Sequence, residues 1–125
     1  MSGPGLALVL HDGAFARLHY ALVMASGAAA INRPVTLFFA GDAVAALQKD
    51  FTPPEEDDAY QRKGVAGFEE LLDACSAFGV TIIACETALA IHGLTESDLN
   101  DELELSVGGF ITFLNQAGDS QMIFI

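Results

Sequence analysis

Residues 6–10 (LALVL) form an unbroken apolar run that ends at once in His11-Asp12-Gly13. A strand covered on both faces shows no alternation, so this run reads as a strand of a parallel sheet with its carboxyl end at residue 10. Asp12 is placed to cap a helix that follows. From residue 14 to 32 the chain is rich in Ala and Leu. Leu18, Leu22, Ala25 and Ala29 share one stripe while Tyr20, Met24 and Ile31 lie elsewhere around the cylinder, which predicts a helix apolar on more than one face.

Pro34 starts a second doubly buried strand over 35–40 (VTLFFA), closed by Gly41 and by Asp42 as the next cap, with a short helix expected over 43–49. Residues 50–64 carry Pro53-Pro54 and four consecutive acids, Glu55 to Asp58, and read as a solvated loop, a lid in one reading. Phe68, Leu71, Leu72, Cys75 and Phe78 recur at spacings of three and four, so 65–78 is an amphipathic helix with Gly79 as its C-terminal cap and Cys75 on its buried face. Residues 80–84 (VTIIA) give a third strand and 86–92 a helix closed by Gly93. Thr95 and Asp98 have capping-box spacing. A brief extended piece at 102–105, a helix over 107–117 containing Gly108-Gly109, and a terminal strand at 122–125 complete the pattern. Strands alternating with helices predict an α/β fold: a three-layer α/β/α sandwich with a mainly parallel sheet of about five strands. With no repeat and no linker, residues 1–125 read as a single domain.

Composition narrows what such a domain can do. Only 18% of the 125 residues are charged, below the usual quarter, which favours burial on assembly into a homo-oligomer. The net charge of −12, with five Lys and Arg, argues against nucleic acid and against anionic membrane surfaces as partners. The apolar stretch 18–31 is too short to span a bilayer, and no basic region precedes the run at 6–10. A cytoplasmic, reducing compartment is therefore expected, with both cysteines present as thiols.

Cys85 sits where the third strand gives way to a helix, and ligands of open α/β sheets bind beyond such carboxyl ends. The helix terminus behind it favours a thiolate; the adjacent Glu86 opposes one. His11 and Asp12 leave the first strand at the same edge, so either comes near Cys85 if the first and third strands are neighbours, His11 then as a general base. Their structural alternative is a loop and a cap. A bridge to Cys75 fails on geometry: five strand residues carry Cys85 about 17 Å up the sheet, against about 5 Å for Cys75 above its helix end, and a disulfide needs Cα atoms within about 7 Å. No Arg follows Cys85 before residue 92, and CxxC, a phosphate loop with Lys and GxGxxG are all lacking. His92 lies about 10 Å along the helix, too far for shared metal ligation, so neither metal nor cofactor is expected.

In four places the chain resembles the DsrE/DsrF-like sulfur-relay family: residues 6–11, residues 35–42, the stretch GVTIIACETALAIHGL from Gly79 to Leu94, and VGGFITFL from Val107 to Leu114. The resemblance implies a compact α/β/α domain assembled as a dimer, trimer or hexamer. It implies also that Cys85 accepts sulfur as a persulfide and passes it on, in the manner of a sulfur carrier or sulfurtransferase with a donor or acceptor protein. Many relatives have a small or uncharged residue after the cysteine where this chain has Glu86. Two alternatives stand beside this reading. One is a small-molecule or nucleotide-binding module built on His11, Asp12, Gly41, Cys85 and Thr87. The other is a structural oligomer subunit with an incidental cysteine.

Overall fold

Every residue of β1 (Leu6–Leu10) and β2 (Val35–Phe39) is buried, as their unalternating runs require, and the two pair in parallel from Leu6 beside Val35 to Leu10 beside Phe39. The computed structural model describes residues 3–125. Around this central pair stand β3 (Thr81–Cys85), β4 (Leu105–Gly108) and β5 (Gln121–Phe124), in the order β4-β3-β2-β1-β5, with every ladder parallel. The α/β class, the five strands and the parallel sheet expected from the sequence are all present.

Alternation splits the sheet's side chains between two layers. Leu8, Leu10, Leu37, Phe39, Ile82 and Ala84 face α1 (Phe15–Ala30) and α3 (Phe68–Ala77), where they join Leu18, Leu22, Leu72 and Cys75 in the main core. Ala7, Val9, Phe38 and Ile83 face the other way and meet Phe113 and Ala117 of α5 (Phe110–Ala117). Phe38 stacks on Phe113 with ring centroids 4.9 Å apart. Gly79, at φ 77, ends α3 in the left-handed conformation that glycine adopts without strain. The capping box is formed, with Asp98 accepting from the Thr95 N–H at 2.8 Å. Among the described residues no helix is long and apolar enough to cross a membrane.

Four expectations are corrected. The acidic loop holds a helix, α2 (Glu55–Arg62). Pro54 precedes it in extended backbone, and four acids in its first turn with Arg62 in its last complement the helix dipole. Asp57 is buried and accepts the Phe68 N–H at 2.8 Å, so α2 caps α3. Tyr60 meets Phe15 and packs edge-on to His19, with centroids 6.0 and 4.8 Å away. The segment is thus anchored to α1 and α3. The second correction concerns the short helix after β2, which is a 3-10 segment, Gly41–Leu47, in which Asp42 makes no side-chain cap. Third, the extended piece lies later than expected, at β4, and takes in Val107 and Gly108. Leu105 and Val107 pack on the main core with Ser106 exposed between them, the period of an edge strand, and paired glycines are poor helix formers. Fourth, the N-cap of α1 is Ala14; Asp12 accepts the Ala14 N–H at 2.8 Å from two residues upstream and pairs with Arg17 at 3.4 Å.

Candidate functional site at the carboxyl edge of the sheet

Cys85 is the last residue of β3 and the N-cap of α4 (Glu86–Ile91). It is half-buried and free, and it follows Ile83 by two residues, so it belongs to the face that α5 covers. Its ladder partner on β4 is Gly108, which has no side chain. On the other side, one step beyond the pairing of Phe39 with Ala84, comes Ala40. The sulfur is therefore flanked by the two smallest residue types. Thiol access at this point comes from the neighbours' size as much as from the strand end.

Glu86 reaches towards the start of α5: its Oε1 lies 3.0 Å from where a Cβ on Gly109 would stand. Any side chain at residue 109 must move this carboxylate. Thr87 is exposed in the first turn of α4, and Ala88 and Leu89 anchor that helix in the main core. With six residues, α4 is too short to supply the strong terminal field expected from the sequence alone.

β2 stands between β1 and β3, which places His11 two strand spacings, about 10 Å, from the strand of Cys85. The neighbouring-strand condition for His11 as the base of Cys85 is not met. Instead the His11 backbone ties three segments together: its N–H donates to Ile125 O at 2.7 Å and its carbonyl accepts from the Asp42 N–H at 3.1 Å. The ring lies over Gly41, where a Cβ would come within 2.7 Å of it, and is 5.6 Å from the Phe124 ring. Gly41, at φ 47, is required both by its backbone and by this close approach. Asp12 serves the entry to α1. The six sequence-derived residues thus form two groups along one edge: Cys85, Glu86 and Thr87 over β3, and His11, Asp12 and Gly41 over β1 and β2.

Sequence reasoning missed Ala40 and Gly108 beside the sulfur, because strand order alone makes them neighbours, and Gly109 against the Glu86 carboxylate. It missed also that His92, at the end of α4, pairs with Asp42 at 3.2 Å and ties α4 to the 3-10 segment. Loops that follow adjacent strands meet, so a known β2–β3 pairing would have revealed it. Cys75 lies in the main core, fully buried, and burial pushes its thiol up to about 11.

Solved structures with the same architecture include the YchN protein of E. coli, with a TM-score of 0.70 and 18% identity over 98% of this chain and all of that one. MTH1491 of Methanobacterium thermoautotrophicum follows at 0.68 and 16%, again over 98% of this chain and all of that one. BT1422 of Bacteroides thetaiotaomicron stands at 0.61 and 15%, over 98% of this chain and 95% of that one. These likenesses show the fold. No curated protein sequence matches the chain significantly. The model of the DsrE/DsrF-like family matches residues 8–124, from β1 to the end of β5, and the chain belongs to that family.

Proposed function

We propose that Cys85 carries sulfur as a persulfide within a sulfur relay. The observation that carries this reading is the placement of a free, half-exposed thiol at the end of β3, between Ala40 and Gly108, in a chain of the DsrE/DsrF-like family. Small flanking residues leave room for a second sulfur atom and for the incoming group. The other cysteine is buried and held in its thiol form, so it does not compete.

In the loading step the Cys85 thiolate attacks the outer sulfur of a persulfide donor. A bond forms from Cys85 Sγ to that sulfur, the donor's S–S bond breaks, and the donor leaves as a thiolate that takes up a proton. Sulfur changes hands with no external oxidant or reductant. Delivery repeats the step with an acceptor thiolate attacking the outer sulfur and Cys85 leaving. Donor and acceptor are thiol-bearing proteins or small molecules, and the chemistry suits a reducing, cytoplasmic compartment where Cys85 is kept free.

Intact-mass measurement after incubation with a small-molecule persulfide tests this. The natural chain and Cys75→Ser gain about 32 Da, reversed by a thiol reductant, while Cys85→Ser gains nothing. A folded, reduced natural chain that takes up no sulfur would remove sulfur transfer from consideration.

A further inference from the structure

α5 begins at the carboxyl edge directly after β4, and its first turn comes back over Gly108, the ladder partner of Cys85. A Cβ on Gly108 would stand 2.9 Å from Thr112 Cβ and Cγ2 and 3.0 Å from Thr112 Oγ1. The space that a side chain at residue 108 would fill is thus taken by Thr112, which accounts for the glycine and sets a hydroxyl on the flank of the sulfur. Paired residues of neighbouring parallel strands lie about 4.8 Å apart and turn to the same face, and α5 packs on top of that face, so Thr112 Oγ1 is about 5 to 6 Å from Cys85 Cβ. Thr112 is exposed, and its hydroxyl has no hydrogen-bond partner among the described residues. The Cys85 thiol stays out of its reach. A second sulfur changes this: the S–S bond carries the outer atom about 2.05 Å beyond Sγ, within hydrogen-bond range of a threonine that has two helical rotamers open to it. The other groups around the sulfur supply no donor. Ala40 and Gly108 have no polar side-chain atom, Glu86 as a carboxylate only accepts, and Thr87 stands on α4, whose buried residues join the opposite layer.

We infer that Thr112 is the hydrogen-bond donor to the outer sulfur of the Cys85 persulfide. This role rests on the sulfur-carrier reading of Cys85 and adds to it a residue that distinguishes the loaded chain from the unloaded one. The outer sulfur of a persulfide is more acidic than a thiol and is anionic near neutral pH. Glu86, whose carboxylate lies against Gly109, repels that charge, and a hydroxyl aimed at the outer sulfur offsets the repulsion with a charge-assisted hydrogen bond. In the loading step the negative charge passes from the donor to the atom that Thr112 faces. The hydroxyl keeps its proton throughout, so no bond is made or broken at Thr112 and the balance of that step is unchanged. Its effect is to favour holding sulfur over losing it.

Thr112→Val keeps the shape of the side chain and removes the donor, whereas Thr112→Ser keeps the donor; at an exposed position both fold, as circular dichroism checks. Each chain is equilibrated with mixtures of cysteine persulfide and cysteine, and the loaded fraction is read by intact mass. The loading equilibrium falls about tenfold in Thr112→Val, the effect of one hydrogen bond to a charged acceptor, and stays within about threefold of the natural chain in Thr112→Ser. The rate and pH profile of iodoacetamide alkylation of unloaded Cys85 are the same in all three chains, because the hydroxyl does not reach Sγ. A natural chain that loads while Thr112→Val loads equally well overturns the role of Thr112 and leaves sulfur carrying intact. Loss of loading in Thr112→Ser as large as in Thr112→Val overturns it too, as does an alkylation profile that shifts along with loading, since Thr112 would then support the site rather than donate to the outer sulfur. A natural chain that takes up no sulfur overturns both readings at once, and its own mass separates that outcome from the others.

Discussion

One face of the sheet is packed beneath α1, α3, α4 and the 3-10 segment, and the other, among the described residues, beneath the single helix α5. Each face holds a cysteine. Cys75 sits in the thick layer, wholly buried, while Cys85 lies at the end of the thin one, half-exposed between residues with almost no side chain. The thick layer stabilises the fold by burial. The thin layer leaves the sulfur accessible at its end.

The largest test of this division is Phe39→Ala. Phe39 is among the bulkiest fully buried side chains and points into the thick layer, so its truncation costs about 3–5 kcal/mol. Urea unfolding followed by circular dichroism should show the midpoint fall with little change in slope. A loss under about 1 kcal/mol would mean that this layer collapses around the cavity and is no more rigid than its opposite.

Next in size is a pH effect confined to the thick layer. Burial raises the Cys75 thiol from its ordinary value of 9.0 to about 11, so between those values the unfolded chain gives up a proton that the folded chain keeps. Its contribution is fully present below pH 9 and shrinks as pH rises to 11, by up to about 3 kcal/mol for a shift of this size. Unfolding free energies measured across that range should decline for the natural chain and decline less for Cys75→Ala. Equal slopes would mean that other groups dominate alkaline unfolding.

Much of the thick layer was legible in the sequence. The runs at β1 and β2 are apolar without alternation, and Phe68, Leu71, Leu72 and Cys75 keep helical spacing, so both strands and α3 announce themselves. Helix α2 did not: its composition is that of a solvated segment, and what makes it helical is non-local, Asp57 capping α3 and Tyr60 against Phe15. The thin layer was less legible for a related reason. Val107 and Gly108 belong to an edge strand because of their pairing with Ala84 and Cys85, and no local pattern encodes that pairing. Cys85 itself could be singled out from its position between strand and helix. Its neighbours could not, since His11 was brought close only on the assumption that β1 and β3 adjoin, and the actual order sets Ala40 and Gly108 there instead.

The smallest expected effect is the one most able to break the comparison. Replacing Cys85 by Ser removes a sulfur that no large side chain grips on either flank, and Ser has nearly the same shape and is not sealed from water here. Unfolding free energy should therefore stay within about 0.5 kcal/mol of the natural chain, as for surface substitutions. The same change in Cys75 places a hydroxyl among Leu22, Leu72 and their neighbours and should cost more, about 1–3 kcal/mol. If Cys85→Ser instead cost as much as Cys75→Ser, the sulfur would be a packing group of the core, the small residues beside it would be coincidence, and the thin face would lose its claim to the chemistry. If stability holds while reaction with an alkylating reagent disappears, Cys85 is free of structural duty, which is the condition a sulfur carrier must meet.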